Sequence, residues 1–106
     1  MDARVRSALE QLQQHLRVTY GPRLDRLLVF GSQARGDSRV DSDVDVLVVL
    51  HGEVYPGEEI RRTGAIVANL SLQNDLVISP VFVSTERFLK EESPLLLNVR
   101  CEGVPL

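Results

Sequence analysis

One stretch near the middle of the chain, Asp43-Val44-Asp45-Val46-Leu47-Val48-Val49-Leu50, constrains the fold more than any other. It reads as a strand. Side chains of a strand alternate with a period of two, so Val44, Val46 and Val48 share one face and are assigned to the core. Asp43 and Asp45 share the opposite face with Leu47 and Val49. The acidic pair therefore opens the strand and apolar residues follow it. Two carboxylates side by side repel each other, and a bound divalent cation is the usual relief.

The residues that precede this strand add a second half to the chemistry. Leu24–Phe30 reads as another strand, and its end, Leu27-Leu28-Val29-Phe30, is continuously apolar, as suits a strand covered on both faces. Gly31-Ser32 then turns the chain sharply. Residues 33–36 begin a short helical turn with Ser32 near its N-terminus, and 37–42 form a polar loop that returns the aspartates toward Gly31. A glycine lets the backbone approach a ligand closely. Amides and a helix dipole at Ser32 favour an anion such as phosphate. Gly-Ser alone is common in surface turns; joined to Asp-x-Asp it describes a nucleotide–metal site suited to phosphoryl or nucleotidyl transfer.

The remaining elements alternate around this centre. Residues 2–18 form a helix with Val5, Ala8, Leu9, Leu12 and Leu16 on one face, Asp2 as N-cap and Gly21-Pro22 as terminator. Residues 58–72 form a second helix with Ile60, Val67 and Leu70 as its apolar stripe, and Arg61 and Arg62 facing out. Leu76–Val83 is a third strand, placed at an edge or bulge by Pro80. Ser84 caps a helical start, and Pro94 opens a final helix that Gly103 ends. The fold class is α/β, a small mixed β-sheet flanked by helices. The chain of 106 residues is one domain.

Bulk properties narrow the partners. A formal net charge of -3 argues against direct nucleic-acid binding by bulk electrostatics. No apolar run approaches the roughly 20 residues that span a bilayer. With one cysteine, Cys101, and no signal-peptide pattern over residues 1–10, the expected location is cytoplasmic. Cys101 is expected to be a small buried hydrophobe. His15 is expected to be half-buried and His51 solvated. Leu95, Leu96, Leu97 and Val99 cannot all face one small core, which suggests a partner interface or a homo-oligomer.

Phe30-Gly31-Ser32, then ten residues, then Asp43-Val44-Asp45-Val46, resembles the signature of the polymerase-β-like nucleotidyltransferase superfamily. The fuller run Gly-Ser-x-Ala-Arg-Gly followed by Ser-Asp-x-Asp is similar to the minimal nucleotidyltransferases (MNT), and so are residues 78–84 and 100–104. The resemblance implies that Gly31 and Ser32 hold the triphosphate of ATP and that Asp43 and Asp45 bind Mg²⁺. It also implies an antitoxin role: transfer of AMP to a tyrosine of a helical HEPN-domain toxin partner.

One departure stands out. The superfamily carries a third carboxylate on a later strand, where it helps activate the attacking hydroxyl. Here Leu76–Val83 holds no acid; Ser79 stands at the expected place, and Asp75 shares its parity but lies four residues early. The alternative to an enzyme is thus a nucleotide-binding module that neutralises its partner by binding alone. Transfer to a small hydroxylated molecule is a third possibility. Arg35 and Arg39 are candidates either for phosphate contact or for neutralising Asp37 and Asp41.

Overall fold

A computed structural model describes residues 3–36 and 43–106. Helix α1 (Ala3–Tyr20) begins the chain, because Val5, Ala8, Leu9, Leu12 and Leu16 recur every three or four residues and all are buried. Gly21, at φ 54°, and Pro22 break it into a single 3-10 turn. Strand β1 (Leu24–Phe30) follows, then the four-residue helix α2 (Ser32–Arg35) and strand β2 (Val44–Leu50). Helix α3 (Pro56–Asn74) leads into β3 (Ile78–Ser84). Helices α4 (Thr85–Lys90) and α5 (Pro94–Glu102) and the short strand β4 (Val104–Pro105) complete the described chain.

The strands form one mixed sheet in the order β3-β2-β1-β4. Strand β1 runs antiparallel to both β2 and β4, and β2 runs parallel to β3. The central position of β2 explains its composition: every residue of it except Asp45 is buried. Val44, Val46, Val48 and Leu50 join the core under α1 and α3, while Leu47 and Val49 join Phe88 of α4 and Leu96 and Val99 of α5 on the other face. Each such side chain contributes about 1.5–3 kcal/mol when taken out of water. Strand β3 is an edge, which accommodates Pro80 without loss of an interior ladder bond.

Several expectations are corrected. The third strand begins at Ile78 rather than Leu76, because Leu76 N–H is spent on the Ser71 carbonyl at 3.0 Å, closing the end of α3, with Asp75 left-handed at φ 52°. On α3 the buried positions are Glu59, Thr63 and Leu70, whereas Ile60 is 53% exposed. Polar partners decide this. Tyr20 Oη donates to Glu59 Oε1 at 2.8 Å, Arg62 pairs with the same oxygen at 2.9 Å, and Thr63 Oγ1 donates to the Glu59 carbonyl. Arg62 therefore does not simply face water; its guanidinium also lies over the Tyr20 ring. Cys101 is exposed: two residues beyond the inward Val99 it is rotated roughly 200° around the helix. His15 is exposed as well. Strand β4 and the Ser93 cap of α5, which accepts from Leu96 N–H, were not anticipated. The expected Asp2 cap lies outside the described residues.

Candidate active site

The site is built where β1 gives way to α2 beside the first turn of β2. Gly31 caps α2 with φ 72° and ψ −150°, a backbone conformation that a residue with a Cβ adopts only under strain. A second constraint acts on the same residue. A Cβ at position 31 would sit 2.5 Å from Asp45 Oδ2. The small-residue turn and the carboxylate strand thus meet directly, and the missing side chain is what lets them. Arg35 N–H bonds to the Gly31 carbonyl at 3.2 Å, and Gly36, left-handed at φ 74°, ends the helix. Ser32 is its first residue.

Cross-strand register fixes the neighbours of Asp45. It stands opposite Phe30 on β1 and beside Ser79 on β3. Asp43 precedes β2 and is exposed; Asp45 is partly buried. Burial, and then the charge of Asp43, hold the Asp45 carboxyl above the usual carboxylate range. Among the described residues no Lys, Arg or His comes within ion-pair distance of either carboxylate. Two hard oxygen donors with unbalanced like charge fit a divalent cation such as Mg²⁺, which tolerates few protein ligands when phosphates and water complete its shell.

Asp75 and His51 are placed away from this turn. Asp75 carries a fully exposed carboxylate 3.8 Å from Arg4. Among the described residues no group of three His, Cys, Asp or Glu side chains could hold a metal ion. His51 lies at the far end of β2, its Nδ1 3.2 Å from Thr85 Oγ1. Arg35 pairs with Glu102 Oε2 at 3.8 Å. Arg39, Asp37, Asp41 and Ser42 lie outside the described residues. No local pattern links Glu102 to Arg35, because α5 is brought to α2 only by tertiary packing.

The sheet order, the turn and the antiparallel β1–β2 return put the Gly31 turn beside Asp45. Residues 5–98 match the family described as Nucleotidyltransferase domain, and the chain belongs to that family. Two Methanocaldococcus jannaschii proteins are similar to it. Putative protein adenylyltransferase MJ0141 is 34% identical over 73 residues, covering 69% of this chain and 73% of its own length. Putative protein adenylyltransferase MJ0604 is 31% identical over 84 residues, covering 79% and 78%. A solved structure described as a "putative minimal nucleotidyltransferase" superposes with a TM-score of 0.63 at 28% identity, covering 100% of this chain and 97% of that one. A toxin–antitoxin structure with AMP-PNP gives 0.60 at 21% identity, covering 91% and 70%, and shares the fold.

Proposed function

We propose that this protein is a Mg²⁺-dependent protein adenylyltransferase, a cytoplasmic antitoxin that transfers AMP from ATP to a tyrosine hydroxyl of a HEPN-type toxin. The observation that carries the reading is the close approach of Asp45 to Gly31, which supports a phosphate-accepting turn beside a cation-binding carboxylate. The adenylyltransferase names of the two archaeal relatives and the toxin–antitoxin structures among the fold neighbours support the choice of nucleotide and partner.

In this reading Gly31 and Ser32 present backbone amides to the triphosphate, and Asp43 and Asp45 hold the cation. Mg²⁺, when bound there, neutralises phosphate charge. The acceptor's phenolic oxygen bonds to the α-phosphorus, the bond to the α,β-bridging oxygen breaks, pyrophosphate leaves and the phenolic proton passes to solvent. Alignment and charge neutralisation account for most of the acceleration.

The test is covalent labelling. The protein is incubated with Mg²⁺, α-labelled ATP and the toxin-like product of the neighbouring gene. Label on the partner, lost by at least about 100-fold in the Asp43→Ala, Asp45→Ala variant, supports the enzyme. A complex that forms equally with both proteins and never takes up label rejects it. That second outcome fits the alternative, a nucleotide-binding module that acts by occlusion. One observation favours this alternative: Ser79, not an acid, occupies the β3 position in register with Asp45.

A further inference from the structure

We propose that Glu102 is a positioning residue for the nucleotide site, competing with bound phosphates for the guanidinium of Arg35. The inference rests on the nucleotide-binding reading of the Gly31-Ser32 turn. Arg35 is the last residue of α2, and its amide is bonded to Gly31, so its side chain departs from the same turn that faces Asp45. Its Nη1 lies 3.8 Å from Glu102 Oε2, and the two side chains are 48% and 51% exposed. An ion pair that open to solvent is weak and readily exchanged. A guanidinium on phosphate oxygens instead makes charge-assisted, often bidentate hydrogen bonds. Exchange of carboxylate for phosphate is therefore downhill for Arg35, but Glu102 lessens the gain.

The backbone that carries the carboxylate is held in place. Glu102 is the final residue of α5, and Gly103 behind it packs so tightly on the Val99 backbone and on Leu28 that a Cβ there would collide. The next residue, Val104, is paired with Val29 of β1. The end of α5 is thus anchored to the strand that carries the turn. Removing the charge at position 102 ends its competition for the Arg35 guanidinium.

Isothermal titration of the full chain with Mg²⁺ and AMP-PNP tests this. Glu102→Gln tightens binding about two- to fivefold. Arg35→Gln weakens it about tenfold, and the double variant matches Arg35→Gln within about twofold, since the effect of Glu102 runs through Arg35. The gap between wild type and Glu102→Gln narrows as salt is raised. Unchanged or weaker binding by Glu102→Gln overturns the proposal, as does equal tightening in the Arg35→Gln background. The two levels separate cleanly. Wild-type binding that is absent, or indifferent to Asp45→Ala, rejects the nucleotide site and this inference with it. Binding lost in Asp45→Ala but unaltered in Glu102→Gln rejects the role of Glu102 alone.

Discussion

Two carboxylates in this molecule meet opposite fates. Glu59 is 2% exposed and fully engaged: Tyr20 donates a hydrogen bond to it, Arg62 neutralises it, and no buried side-chain polar atom among the described residues lacks a partner. Asp45 is less buried, yet the charge of Asp43 acts on it, and among the described residues no cation offsets the pair. A charge retained for the fold is matched from within. In the proposed function, a charge kept for chemistry is left to be matched from outside. On that proposal, pairing separates a structural acid from a functional one more sharply than burial does.

Removing the internal cation should break the comparison most visibly. Arg62→Met leaves Glu59 buried with only the Tyr20 hydroxyl, and stability should fall by about 3 kcal/mol in urea denaturation. Gly31→Ala comes next. The positive-φ, glycine-favouring backbone alone costs about 1–3 kcal/mol, and the new methyl meets Asp45, so both the melting temperature and the Mg²⁺–AMP-PNP-dependent rise in it should drop. Tyr20→Phe should cost about 1 kcal/mol, the worth of one hydrogen bond, and leave nucleotide binding intact.

The smallest effect has the opposite sign. Asp45→Asn should stabilise the metal-free protein by about 0.5 kcal/mol, by removing the repulsion with Asp43, while abolishing stabilisation by Mg²⁺ and AMP-PNP. A destabilised metal-free Asp45→Asn would place Asp45 with Glu59 among the structural acids.

Titration sharpens the same contrast. The Asp45 carboxyl is raised in the folded state, so the folded protein holds its proton longer than the unfolded chain does. Its contribution is complete below the unfolded carboxylate range and is lost as pH rises through the folded value. Mg²⁺ binding should correspondingly release a proton and strengthen as pH rises through that value, measurable by calorimetry in two buffers. Tyr20 obeys the same sign at the alkaline end. Burial, then the hydrogen bond and charge of Glu59, push its phenol up to about 12, so its contribution is lost between pH 10 and about 12.

Much of the frame was legible because it is written in neighbouring residues. Strand β1 begins and ends where its pattern says, and β2 differs by one residue, with Asp43 just outside it. The α1 stripe is buried at each of its five anticipated positions. The expected mixed sheet and the edge placement of Pro80 both hold. The first turn of helix α3 defies its local pattern: hydropathy favours Ile60 over Glu59, and the partner that reverses the choice, Tyr20, lies 39 residues away. Strand β4 was missed because two residues carry no readable period.

The sequence by itself determined an apolar strand with Asp45 near its start, Asp43 just ahead of it, and a Gly-Ser turn earlier in the chain. Backbone period and residue size suffice for that. Only the tertiary structure decided that Asp45 approaches Gly31 too closely for a Cβ and that Glu102 reaches Arg35, and it set Ser79 beside Asp45 in the ladder, where the family resemblance placed it. Those contacts join residues 14, 34 and 67 positions apart, and their geometry depends on sheet order and helix packing, which no local pattern encodes.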